Sequence, residues 1–246
     1  MAEHRLSGTW ELFRPATEDR YPCTIPGDNI TALQKAGVIP DPFVATNELD
    51  VQWVGREDWV FLHEFELSAE QARMPHAALE FRRLDTVARI SLNGREIGRT
   101  ENMFRHYRFA IGELLREGTN RLEVHVFSPE RTAARRAEEL PYPMPHVTYP
   151  VQSPHRNLLR KVQCHAGWDW GPCLMVSGLY EAPRLILTDR EMIEELSATV
   201  APVGPAGAAQ DPAGTAERGS GAWELKVELE LRAFEAGSVD LGYTLS

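Results

Sequence analysis

Apolar and polar residues alternate along most of the chain with a period of two, the repeat of a strand that buries one face. Around residues 60–67 the alternation places Trp59, Phe61, His63, Phe65 and Leu67 on one side. Residues 77–81 and 87–92 also read as strands. Asn93-Gly94 after the second of these is the strongest short hairpin signal, with a return strand from Arg95. Tyr107, Phe109 and Ile111 alternate again. After a turn at Gly118-Thr119-Asn120, Leu122, Val124 and Val126 alternate with Glu123 and His125. Residues 6–13 open this set of strands, and residues 179–188 read as its closing strand.

Helical signals are few. Residues 29–35 predict a short helix capped by Asp28 or Asn29 and closed by Gly37. Ser128-Pro129-Glu130 supplies an N-cap, a first-position proline and a first-turn acid, predicting a helix to about Leu140. Its Arg131, Arg135 and Arg136 read as a solvated face compensated by Glu138 and Glu139. Residues 39–43, with Pro40 and Pro42, predict an ordered surface loop. Five prolines between 141 and 154 predict a long irregular excursion, and such loops usually serve function or connection.

The pattern changes near Asp189, so residues 1–190 are expected to form one domain and 191–246 the beginning of another. A new strand is expected over 194–200. The Ala-, Gly- and Pro-rich stretch 202–221 is expected to be a flexible insertion. From Trp223 to Arg232, Trp223, Leu225, Val227, Leu229 and Leu231 face one way and charged residues the other, and residues 239–245 repeat the pattern. Roughly three strands follow the boundary where a sandwich wants about seven, so the second domain is expected to be incomplete, with an exposed edge.

Composition narrows the function. The 246 residues are 43% hydrophobic and 25% charged, ordinary values for a globular chain. A formal net charge of −10 argues against nucleic acid or anionic membrane as a partner. No apolar run is long enough to span a bilayer, and the first residues lack a signal-peptide pattern, so the cytosol is the expected compartment. Cys23, Cys164 and Cys173 are too few for a disulfide framework. A zinc site from Cys164, His165 and Cys173 matches no paired Cys-x-x-Cys spacing, so no metal and no cofactor is expected. No Ser-His-Asp or Cys-His arrangement stands out, and His63, His106 and His125 have no partner nearby in sequence.

One stretch carries chemistry. Between Arg160 and Cys173, Trp168 and Trp170 flank Asp169, with Gly167 before them and Gly171-Pro172 after, which predicts a loop or distorted strand end. Indole faces stack on the C–H faces of sugar rings, and a carboxylate between them accepts hydrogen bonds from adjacent hydroxyls. The competing reading makes Trp168 and Trp170 core anchors and Asp169 a turn cap.

Residues 160–172, Arg-Lys-Val-Gln-Cys-His-Ala-Gly-Trp-Asp-Trp-Gly-Pro, resemble a signature of the β-mannosidases of glycoside hydrolase family 2. Agreeing stretches in the same order are Ala36 to Phe43, Asn47-Glu48, Gln52-Trp53-Val54, Asp58-Trp59, Asp85-Thr86-Val87-Ala88, Leu92-Asn93-Gly94, Asn102 to Arg105 and Asn120 to Pro129. Asp28-Asn29-Ile30, where many relatives read Gly-x-Val-His, and Ala166, where they often carry an aromatic, depart from it.

The resemblance implies an all-β chain: a jelly-roll (galactose-binding-like) β-sandwich followed by an incomplete immunoglobulin-like β-sandwich. It implies a parent enzyme that hydrolyses terminal β-D-mannosyl residues with retention, using two carboxyl groups about 5–5.5 Å apart. In the family those carboxyl groups lie on a TIM barrel, which needs about 250 residues of its own, so no catalytic residue is expected in this chain. Glu48 follows an asparagine as family acid/base residues do, but is expected to anchor a loop. The implied role here is part of the glycone subsite for a β-mannoside or manno-oligosaccharide. Asp169 would accept hydroxyls, Trp168 would form a pocket wall, and Trp170 is divided between pocket and core. Arg160, Lys161 and His165 are expected to be structural rather than to orient Asp169. A self-standing carbohydrate-binding module and a non-catalytic scaffold are the alternatives.

Overall fold

A computed structural model describes residues 2–17, 19–145, 153–168, 170–189, 192–203 and 222–232. The chain forms two compact units, residues 1–189 and 190–246. In the first, the strands in chain order are β1 (Ala2–Arg5), β2 (Gly8–Phe13), β3 (Arg20–Ile25), β4 (Gly27–Asp28), β5 (Trp59–Leu67), β6 (His76–Phe81), β7 (Leu84–Asp85) and β8 (Ala88–Leu92). They continue with β9 (Arg95–Thr100), β10 (Tyr107–Ala110), β11 (Gly118–Val126), β12 (Gly178–Leu179) and β13 (Arg184–Thr188). A six-stranded antiparallel sheet has the order β3-β2-β5-β11-β8-β9, a four-stranded sheet the order β1-β13-β6-β10, and three short strands pair as β4-β12-β7.

The period-two pattern sets the register. Leu12 lies opposite Phe61, Phe61 opposite Val124 and Val124 opposite Ile90, so one apolar row crosses four strands. In the four-stranded sheet, Leu185 and Phe109 flank Leu79. Both rows belong to one core with Trp10, Trp59 and Phe81, so the two sheets form a sandwich. His63 takes its place in the row by stacking on Trp10, ring centroids 4.8 Å apart, and burial lowers its pKa below the ordinary value. Asn93 and Gly94 both have positive φ (52° and 82°), as the expected two-residue hairpin requires.

The helices of the first unit are α1 (Asn29–Lys35), α2 (Asn47–Asp50), α3 (Ala69–Ala72) and α4 (Pro129–Glu138). Asp28 caps α1 by accepting the Thr31 N–H at 2.8 Å, and Ser128 caps α4 by accepting the Arg131 N–H at 3.1 Å. The arginines of α4 are not simply a solvated face. Arg131 binds Asp58 at 2.6 Å, Arg136 reaches the Leu158 carbonyl and Glu101, and only Arg135 pairs within the helix, with Glu139 at 3.9 Å. His125, without a partner nearby in sequence, finds Asp58 at 3.4 Å across the sheet.

The closing strand expected over 179–188 is two strands in different sheets. Pro183 has no N–H for a ladder, and its carbonyl instead accepts the Leu6 N–H at 2.8 Å.

In the second unit, β14 (Met192–Val203) and β15 (Ala222–Arg232) form an antiparallel hairpin. Pro202 and Val203 still pair, with Trp223 and Ala222, so the strand continues two residues into the stretch expected to be an insertion. The rest of that insertion, and the strand expected over 239–245, lie outside the described residues. Leu196 and Val200 share one face with Trp223, Leu225 and Val227, all exposed, so the alternation is present without the expected half-burial. Two strands do not by themselves define an immunoglobulin-like sandwich.

Candidate functional site

The loop from Gly167 to Cys173 leaves the sandwich on a built base. Gly167 has φ +96°, and a Cβ there would stand 2.5 Å from the Cys173 backbone, so only glycine fits. Arg156 donates to the carbonyls of Ala166 and Gly167, at 3.3 and 2.7 Å. The Trp168 carbonyl accepts the Gly171 N–H at 3.4 Å, closing a tight turn. Where the loop returns, α2 holds it. The Glu48 carboxylate accepts the Cys173 N–H at 3.0 Å, and the Gln52 amide donates to the carbonyls of Glu48 and Cys173, both at 2.7 Å. Glu48 is therefore the loop anchor the sequence suggested.

On this base the two indoles face solvent. Trp168 is 51% exposed and Trp170 89%, which rules out a core-anchor role for either. Asp169 lies outside the described residues.

Beneath the loop is a charged cluster that the sequence did not reveal. Asp85 and Lys161 have no side-chain exposure and stand 3.3 Å apart. Lys161 also donates to the Val176 carbonyl at 2.6 Å, so it ties the segment before the loop to the segment after it. The other Asp85 oxygen is 3.0 Å from His165 Nδ1, and the Thr86 hydroxyl also donates to this carboxylate. Burial lowers the Lys161 pKa, and the charge and hydrogen bond of Asp85 oppose that shift. Taking two charges out of water costs on the order of several kcal/mol per ion, so such a pair persists only with close geometry and further hydrogen bonds, both present here. The His165 ring packs on Tyr180, centroids 4.6 Å apart, and burial, then the charges of Asp28, Asp85 and Cys164, push the tyrosine hydroxyl well above its ordinary range.

Lys161 and His165 thus hold Asp85, as structural roles for them require. Arg160 contributes backbone: its carbonyl accepts the Met103 N–H at 2.8 Å. Asn29 lies under the return segment, with its side-chain oxygen accepting the Ser177 N–H at 3.0 Å. Asp85 was visible in the sequence only as part of a recurring string, since its partner His165 is 80 residues away. Among the described residues no three His, Cys, Asp or Glu side chains gather to hold a metal.

Two antiparallel sheets packed as a sandwich, with aromatic side chains on a clamped loop, define the class only as an all-β sandwich domain. Residues 10–181 match the family described as glycosyl hydrolase 2 galactose-binding domain-like, and the chain belongs to it. Among similar proteins, the β-mannosidase of Bos taurus is 34% identical over 184 residues, covering 73% of this chain and 21% of the bovine one. The crystal structure of the β-D-mannosidase of Dictyoglomus thermophilum is 38% identical with a TM-score of 0.77, over 83% of this chain and 25% of that one. The exo-chitosanase of Amycolatopsis orientalis, 13% identical with a TM-score of 0.54 over 82% and 22% of the two chains, shares the fold alone. The chain corresponds to the amino-terminal domain of β-mannosidases and spans about a fifth of the length of the curated relatives it matches.

Proposed function

We propose that this chain is the non-catalytic amino-terminal part of a retaining β-mannosidase. Its Trp168-Asp169-Trp170 loop supplies part of the glycone subsite of a catalytic barrel that this chain does not contain. The observation that carries this reading is the pair of exposed indoles on a loop clamped from both sides, by Arg156 before it and by Glu48 and Gln52 after it. Preorganised groups hold a sugar at less entropic cost than mobile ones. Asp169 accepts hydroxyls away from the cleaved bond, Trp168 walls the pocket, and Trp170 lies beside them. The substrate is a β-mannoside or manno-oligosaccharide, and the free cysteines fit a reducing compartment such as the cytosol.

The compactness of residues 1–189 favours one other reading, a self-standing carbohydrate-binding module. In the protein extended through its reading frame, Asp169→Ala should lower kcat/KM for a chromogenic β-D-mannoside by roughly ten- to hundredfold, the loss of a charge-assisted hydrogen bond to substrate. Unchanged kcat/KM in that variant and in Trp168→Ala would reject the subsite role. Mannoside binding lost in those variants without any change in turnover would favour the module.

A further inference from the structure

We propose that a cavity beside the base of the loop binds a sugar-sized anion, a ring bearing a carboxylate or a phosphate. The cavity has a volume of about 530 Å³, and its walls include Arg83, Met103, Phe104, His106, His165 and Tyr180. Its chemistry differs from that of the chain as a whole. The protein carries a net charge of −10, yet among the described residues no aspartate or glutamate lines this cavity, and Arg83, His106 and His165 do. The side chains of Arg83 and His106 make no ion pair or hydrogen bond among the described residues, so both remain available to a ligand. Arg83 has φ +52°, uncommon for a side-chain-bearing residue, and its carbonyl is fixed by the Tyr180 N–H at 3.2 Å.

His165 is the fixed polar group of the cavity. With Nδ1 committed to Asp85, which is itself held by Lys161, the ring cannot turn freely, and Nε2 is the nitrogen left for a ligand. Phe104, 65% exposed, and Tyr180 offer flat apolar faces beside these groups. A guanidinium fork suits a carboxylate or phosphate, imidazole N–H groups add donors, and an aromatic face suits the C–H side of a pyranose. A neutral sugar would leave Arg83 without a counter-charge. None of this uses Trp168 or Trp170, and it holds whatever the loop binds.

The test is calorimetric titration of the full chain with glucuronate, glucose 6-phosphate and glucose. One of the two anions should bind at least about tenfold more tightly than glucose, and which one identifies the anionic group. Arg83→Ala and His106→Ala should each weaken that anion by roughly tenfold with the thermal midpoint unchanged, as expected for exposed side chains. The proposal would be overturned by no binding of either anion, by glucose bound as well as the anions, or by anion affinity indifferent to both substitutions. Anion binding removed by Trp170→Ala alone would move the ligand to the loop and equally reject the cavity.

Discussion

Lys161, Asp85 and Glu80 are charged side chains buried in the first unit, where each depends on its partners. Lys161→Met strands the Asp85 carboxylate in the core and should cost about 3–5 kcal/mol in urea unfolding. Combined with Asp85→Asn, the loss should be less than the sum of the two single losses, because the pair is one interaction. Glu80 tests electrostatics on the outer face of the four-stranded sheet. Burial raises its carboxyl, but the hydrogen bonds and charges of Arg184 and Arg82 more than reverse this, holding it below its ordinary 4.5. A depressed folded value means the stabilisation is complete above pH 4.5 and is lost as pH falls through the lower folded value. Unfolding followed across that range should show a slope that Glu80→Gln reduces, since Asp58 also has a lowered value and contributes to it; an unchanged slope would mean the ion pairs of Glu80 contribute nothing. Alternation marks which face a residue takes, so Phe61 and Val124 were legible. It cannot show that Asp85 meets a lysine and a histidine from the other end of the domain, so Lys161 and His165 read as structural without a visible partner.

At the scale of elements, local chemistry was mostly sufficient. Ser128-Pro129-Glu130 specifies the start of α4 because cap, proline and first-turn acid each satisfy the helix terminus without help from the fold. Ser128 does more than the pattern implied, since its hydroxyl also donates to the Gly55 carbonyl at 2.9 Å. Ser128→Ala should therefore cost somewhat more than the ~1 kcal/mol of an exposed cap, measured by chemical denaturation. The partners of Arg131 and Arg136 were missed because i,i+4 spacing sees only partners on the same helix, whereas Asp58 and Glu101 come from elsewhere in the domain; Arg135, exposed and paired with Glu139, is as expected. Gly167 fixes the loop as an element. Gly167→Ala should expose the loop to limited proteolysis while leaving the six-stranded sheet intact, because the added Cβ meets the Cys173 backbone rather than the core.

For the whole molecule, the strands were legible from period-two alternation and turn signals, while their arrangement as a sandwich was implied by the mannosidase resemblance, which rested on strings distributed over the chain. The second unit was less legible. Its two strands were expected but not their pairing, and alternation alone does not say what covers the face carrying Leu196, Val200, Trp223 and Leu225. The central claim, that this chain is the supporting and not the catalytic part of a β-mannosidase, belongs at this scale. It rests on an all-β first domain and on relatives about five times as long as the matched region. The most direct measurement is hydrolysis of a chromogenic β-D-mannoside by the 246-residue chain beside the same chain extended through its reading frame. The account predicts turnover by the extended protein alone. Turnover by the short chain, or none by the extended one, would contradict it, and in the first case Glu48 would be the first residue to replace.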